Sequence, residues 1–222
     1  IERLVYQLEL MFKKNKLKGE VVIVDDNSPD GTGIVADKLA KKYKNVIVVH
    51  RKRKLGLGTA YKAGIDAANN DIVITMDADL SHNPAAIPQM AKKIENCDIV
   101  IGSRYTKGGG IKNWTLARRI VSRGANMLAR TLLGLGVKDA TSGYRAYRKS
   151  QINKMKLEEI KSSGYSFLEE VLFMAKKKGL KVSEVPIMYE DRYGGKSKLG
   201  KKEMMKFWFT VLRLFASRIK GA

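Results

Sequence analysis

Apolar and polar positions fall into two alternating periods along this chain. Val21-Val22-Ile23-Val24 is a continuous β-branched run that stops at Asp25-Asp26-Asn27-Ser28-Pro29-Asp30-Gly31, the pattern of a buried strand entering a polar loop. Helical spacing follows from Thr32 to Tyr43, Val46-Ile47-Val48-Val49 repeats the strand signal, and a helical stretch from Tyr61 to Ala68 leads to Ile72-Val73-Ile74-Thr75-Met76, which ends at Asp77. Pro84 after Asn83 opens a predicted helix to Asn96, and Asp98 to Ile101 is the next short strand. Strands alternating with helices predict an α/β fold, Rossmann-like, with a mostly parallel sheet.

The second half is less regular. A glycine loop, Lys107-Gly108-Gly109-Gly110, precedes a predicted helix from Trp114 to Leu133, and its loose glycines suggest mobility over a site. Strands are predicted over Ser142 to Arg148 and Val182 to Tyr189, a helix over Phe167 to Lys178, then a basic loop, Arg192-Tyr193-Gly194-Gly195-Lys196-Ser197-Lys198. The end of the chain is amphipathic, with Met204, Trp208, Val211, Leu212, Phe215 and Ile219 on one helical face. Residues 1–199 read as one domain and 200–222 as an appended helix. The opening Ile1 to Leu10 resembles the middle of a helix with no strand before it, so the chain is expected to be a fragment of a longer one.

Composition narrows the chemistry. With 222 residues, 44% of them hydrophobic, one large α/β domain with a full core is the natural size. The formal net charge of +21, from 43 Lys and Arg against 22 Asp and Glu, attracts polyanions: nucleic acid, anionic membrane or phosphorylated substrates. A nucleic-acid-binding α/β domain is a rival reading, but no aromatic stacking platform or recognised motif accompanies the charge. The single cysteine, Cys97, forbids an intrachain disulfide and fits a reducing, intracellular compartment. No run of about 18 apolar residues and no signal-peptide pattern is present, so a membrane span is not expected. The last helix, which mixes Trp208, Phe209, Leu212 and Phe215 with Lys201, Lys202, Lys206, Arg213 and Arg218, has the composition of a membrane-interface segment and equally that of a helix packed on its own domain.

Ligands of open α/β sheets bind beyond the carboxyl ends of the parallel strands, where both Asp25-Asp26 and Asp77-Ala78-Asp79 fall. Two carboxylates spaced i, i+2 there suit a hard divalent cation with substrate phosphates completing its shell; an Asp after a strand can also be a plain turn former. Arg104 follows a strand on the same side, and Arg118 and Ser122 stand i, i+4 on the next helix, so the three could grip an anion. His82 and His50 read as structural, and of Glu169 and Glu170 one is expected packed and one exposed. Gly56-Leu57-Gly58 lacks both a dinucleotide fingerprint and a P-loop Lys.

Val-Asp-Asp-Asn-Ser-Pro-Asp-Gly-Thr, Met-Asp-Ala-Asp-Leu-Ser-His-Asn-Pro, Gly-Ser-Arg-Tyr, Ser142-Gly143-Tyr144-Arg145 and Arg192 through Ser197-Lys198-Leu199-Gly200 together resemble the family 2 glycosyltransferases, and within them the dolichyl-phosphate mannosyltransferase group. The resemblance implies a GT-A domain that transfers a sugar, mannose from GDP-mannose above all, onto a polyprenyl or dolichyl phosphate with inversion and with Mg²⁺ or Mn²⁺. It implies that Asp26, with its neighbour Asp25, serves the nucleotide, that Asp77 lies against ribose and diphosphate, and that Asp79 ligates the metal. Where relatives usually carry Gln in that shell, this sequence has Ser81, so Asp77, Asp79 and Ser81 are the candidate metal set. Arg104, Arg118 and Ser122 are implied to hold the acceptor phosphate, with Asp79, Arg104 and Arg118 as the catalytic set, and Arg192 and Lys198 to meet phosphates of donor or acceptor. An ionised lipid phosphate is its own nucleophile, so no strong base is required. A UDP-sugar donor and a catalytically dead scaffold are the alternatives. The enzyme is expected on the cytoplasmic face of a membrane, peripheral or held there by an anchoring partner or a missing transmembrane segment. Relatives also begin with a strand and base-binding loop that precede the first strand here.

Overall fold

The computed structural model describes residues 1–162, 164–191 and 200–220. Its first half is the expected βα wrap: α1 (Glu2–Asn15), β1 (Val21–Asp25), α2 (Thr32–Lys42), β2 (Val46–His50), α3 (Leu57–Ala67), β3 (Ile72–Thr75), α4 (Ile87–Lys93) between two short 3₁₀ turns, and β4 (Ile99–Ser103). Then follow β5 (Gly110–Ile111), α5 (Leu116–Leu133), β6 (Arg145–Arg148), α6 (Lys149–Lys154), α7 (Phe167–Lys177), β7 (Val182–Pro186), β8 (Met188–Tyr189) and α8 (Lys201–Lys220). The domain has the α/β architecture predicted, with α8 present.

The strands run mostly parallel, as expected, with β6 reversed among them. β1 and β2 pair in parallel, as do β4 and β7, but β6 enters between β3 and β4 and runs antiparallel to both. The cause lies in the segment before it. After α5 the chain returns without a crossover helix, tied down by Ala140 N–H donating to Asn126 Oδ1 (2.8 Å) and by Ser142 Oγ donating to Gly102 O (2.7 Å). It thus reaches the sheet at the end where β4 leaves it, and a strand begun there must run the opposite way. Among the described strands β1 pairs with β2 and β3 with β6, so the strands form a separate two-stranded and a four-stranded sheet, besides the pair β5 and β8.

Two expectations change. The strand predicted over Val182 to Tyr189 breaks at Ile187, which donates its N–H to Ser103 O (3.0 Å) and sends β8 across to β5. The glycine loop is pinned by the same contact: Gly110 N–H donates to Ile187 O (3.0 Å), and a Cβ on Gly109 would lie 2.5 Å from Ser103 O. Its glycines allow close backbone approach, not looseness.

The main core joins Ile99, Ile101 and Tyr147 to α5, α7 and α8, including Val211 and Leu214. A second cluster under α1 and α4 holds Leu4, Leu8, Met90, Val100 and Tyr144, and a third joins Val5 to Ile23 and Ala36. α8 therefore packs one apolar stripe on the domain and leaves another exposed. Val211 and Leu214 are buried, while Met205, Trp208, Phe209, Leu212 and Ile219 form a second stripe that faces outward, with Phe209 72% exposed. α5 repeats the pattern, burying Asn126, Ala129 and Leu133 and exposing Leu116, Ile120 and Met127. No described helix is long and apolar enough to cross a membrane.

Candidate active site

The turn after β3 is built around Asp79. Leu80 takes a left-handed conformation (φ 66°), which few bulky side chains adopt without a reason, and it folds Ser81 back so that its N–H (3.1 Å) and Oγ (2.5 Å) both donate to Asp79 Oδ1. Ser81 is 1% exposed and orients Asp79 from inside the turn. Asp77 is fixed through its backbone, whose N–H donates to Nδ1 of His82 at 3.0 Å. That bond places the His82 proton on Nε2; burial lowers the pKa of the ring, which stacks on Tyr144 at 4.8 Å. His82 is thus a neutral prop.

At the end of β1 the two adjacent carboxylates part company. Asp25 is buried; its oxygens accept from Ser28 N–H at 3.3 and 3.4 Å, and a Cβ on Gly33 would lie 2.8 Å from Oδ2. It closes the loop against α2. Asp26 instead accepts from Arg51 Nε at 2.6 Å, and Arg51 Nη1 donates to Thr59 Oγ1 at 2.8 Å in the first turn of α3. Arg51 lay outside the residues singled out by sequence, because its partner is 25 positions away. Its Nη2 is buried with no partner.

The basic side is organised by aromatic rings. Tyr189 lies edge-on to His82 (5.7 Å) and to Trp114 (5.4 Å); Arg118 stacks over Trp114 at 4.1 Å. This row ties the acidic turn to the start of α5. Arg118 also donates to Asp191 Oδ2 at 2.8 Å and remains about one-third exposed. Ser122 Oγ meets Tyr105 Oη at 2.8 Å, so Arg118 and Ser122 do share the face expected.

Arg104 is different. Its Nε and Nη2 bind both oxygens of Asp139 (2.8 and 2.7 Å), its backbone N–H donates to the same carboxylate (2.9 Å), and Nη2 also reaches Thr141 Oγ1 (2.6 Å). Burial alone would lower the arginine's pKa; the Asp139 carboxylate outweighs it and holds the value raised. Burial would likewise raise Asp139, and Arg104 holds it low. Its charge is balanced by Asp139, and its guanidinium lies against the rings of Tyr105 (5.3 Å), Trp114 (5.8 Å) and Tyr189 (5.8 Å). Arg192 and Lys198 lie outside the described residues.

Glu169 and Glu170, expected to be one packed and one exposed, are both buried. Glu170 accepts from Arg213 Nη2 at 2.8 Å. Glu169 makes no ion pair among the described residues, and burial pushes its carboxyl from the usual 4.5 up to about 7. A folded pKa raised in this way favours the folded state fully below pH 4.5, and the advantage is lost as pH rises toward 7. The difference corresponds to about 3 kcal/mol. Urea midpoints at pH 5 and pH 8 should fall further apart in the wild type than in Glu169→Gln; equal separation would assign the pH response to other groups.

Among the described residues no group of three or more His, Cys, Asp or Glu is arranged for a metal. Two carboxylates on one turn do fit Mg²⁺ or Mn²⁺, hard cations that proteins often hold through one or two carboxylates while substrate phosphates fill the rest of the shell.

Comparison with known proteins agrees with this arrangement. The model of glycosyl transferase family 2 matches residues 1–155. The chain is 40% identical over 196 residues to a polyprenol monophosphomannose synthase of Mycolicibacterium smegmatis, covering 86% of this chain and 74% of that one. It is 40% identical over 185 residues to an undecaprenyl-phosphate mannosyltransferase of Micrococcus luteus, covering 82% and 76%. Among solved structures, glucosyl-3-phosphoglycerate synthase of Mycobacterium tuberculosis in complex with UDP superimposes with a TM-score of 0.63 at 20% identity, over 90% of this chain and 70% of that one. Its fold is that of the GT-A glycosyltransferases, and the chain belongs to glycosyl transferase family 2.

Proposed function

We propose that this enzyme transfers mannose from GDP-mannose to a polyprenyl phosphate at a membrane surface, inverting the anomeric centre. The observation that carries the reading is the row His82, Tyr189, Trp114 and Arg118, which sets a paired-carboxylate turn and an arginine in one crevice. The relatives named for polyprenol and undecaprenyl-phosphate mannosyl transfer support both sugar and acceptor.

In this reading Asp26, fixed by Arg51, faces the nucleotide, and Asp77 and Asp79 hold a divalent cation. The cation neutralises the diphosphate as it leaves. Arg104, Arg118 and Ser122 orient the acceptor phosphate, whose oxygen is already an anion and attacks the anomeric carbon without a base; the work of the site is alignment and charge stabilisation. Arg192 and Lys198 are proposed to meet phosphates from the basic loop. The outward apolar stripes of α5 and α8, bordered by Arg123 and Lys206, suit an anionic bilayer, where each cation adds about 1 kcal/mol.

The test is transfer of labelled mannose from GDP-mannose to a short polyprenyl phosphate in vesicles with Mn²⁺, beside EDTA and UDP-glucose arms. EDTA-sensitive mannolipid is expected. Glucolipid alone would change the donor, and failure with both donors in the full-length protein would overturn the reading.

A further inference from the structure

Two buried polar atoms with no partner lie on the elements that back the acidic turn after β3. Tyr61 Oη, on α3, and Glu169 Oε2, at the start of α7, are both buried and make no hydrogen bond. Native interiors satisfy nearly all such atoms, and leaving one bare costs stability, so two of them in adjoining elements call for an explanation. Their surroundings supply one. Tyr61 Oη abuts Gly143, where a Cβ would lie 2.7 Å from it, and the Gly143 carbonyl is held by Thr75 Oγ1 (2.9 Å), two residues before Asp77. The same glycine is flanked by Leu168, the neighbour of Glu169, and the Tyr61 ring lies 6.1 Å from Phe167. The phenol feels the charge of Asp77, and the carboxyl feels Arg145, Asp139 and Arg104. Arg145, the nearest cation in burial, is spent on the carbonyls of Ser142 (2.8 Å), Leu168 (2.7 Å) and Ala140 (2.7 Å), and does not pair with Glu169.

We propose that Tyr61 and Glu169 bind hydroxyls of the donor hexose, and so help to choose the sugar. The inference rests on the transferase reading above. A hexose hydroxyl both donates and accepts, as a phenol does, and a carboxyl near neutrality offers either role. No charge is needed, which suits a ring whose own charge resides on the diphosphate.

Tyr61→Phe removes the phenol hydroxyl, and Glu169→Gln exchanges one carboxyl oxygen for an amide nitrogen that can only donate, both with little change of shape. For each variant of the full protein, kcat/KM for GDP-mannose is expected to fall roughly tenfold to hundredfold. Inhibition by GDP, which lacks the hexose, should shift less than about twofold. UDP-glucose and UDP replace the pair if that donor proves active. With deoxyhexose donors lacking one hydroxyl in turn, the penalty of each variant should vanish for one particular analogue. Unchanged kinetics in both variants would mean that the two atoms hold a bridging water only, and equal losses for GDP and GDP-mannose would mean a structural role; either overturns the inference while wild-type transfer stands. Wild type inactive with every donor would instead remove the transferase reading and this one with it.

Discussion

Asp79→Ala should lower sugar transfer by about a thousandfold or more, with little loss of folding stability. The turn spends two donors, Ser81 N–H and Ser81 Oγ, on one oxygen of Asp79, and bends Leu80 into a left-handed conformation to do so. That outlay makes sense if the carboxylate must face a developing diphosphate charge in a fixed pose, where removal of one preorganised contact costs on the order of 10² to 10³ in rate and metal loss costs more. Ser81→Ala, which leaves the carboxylate but frees it, should cost about tenfold, within the worth of one charge-assisted hydrogen bond. Single-turnover transfer at saturating Mn²⁺ measures both. If Asp79→Ala keeps a tenth of wild-type rate, the metal and diphosphate are held elsewhere.

The largest effect on stability is expected at Asp139. Asp139→Ala strands the Arg104 guanidinium, 8% exposed, without its counter-charge, and breaking one half of a buried pair typically costs about 3–5 kcal/mol. The double replacement Arg104→Met with Asp139→Leu removes both charges and should be the more stable of the two, because no unpaired ion remains. Urea unfolding of the two variants decides it. A double variant no better than Asp139→Ala would show that the contacts of Arg104 with Tyr105, Trp114 and Tyr189, not its charge, matter most.

What could be read from the sequence was whatever local pattern controls. β1, β2, β3 and β4 announce themselves as β-branched runs, and their carboxyl ends carry the acidic clusters, so the fold class and the place of the site followed. β6 did not, because its direction is set by the anchoring of residues before it to Asn126 and Gly102, a long-range event with no local signature. The same reason hid the partners of Asp26 and Arg104, which lie 25 and 35 positions away. Charge was the other blind spot. A lone Asp25, Arg104 or Glu169 looks like surface in a strongly basic chain, yet all three are buried or nearly so. Arg104 is buried against Asp139, and Asp25 against the loop at Ser28.

The antiparallel β6 also dictates when this protein can fold. It bonds β3 on one side and β4 on the other, so the strands at residues 72–75 and 99–103 have no common ladder until residues 145–148 arrive. A chain leaving the ribosome therefore carries half of its βα units as unjoined strands while more than forty further residues are made. Such exposed edges are targets for misassociation and for chaperones, and truncation anywhere before Arg148 should yield a collapsed but sheet-incomplete product.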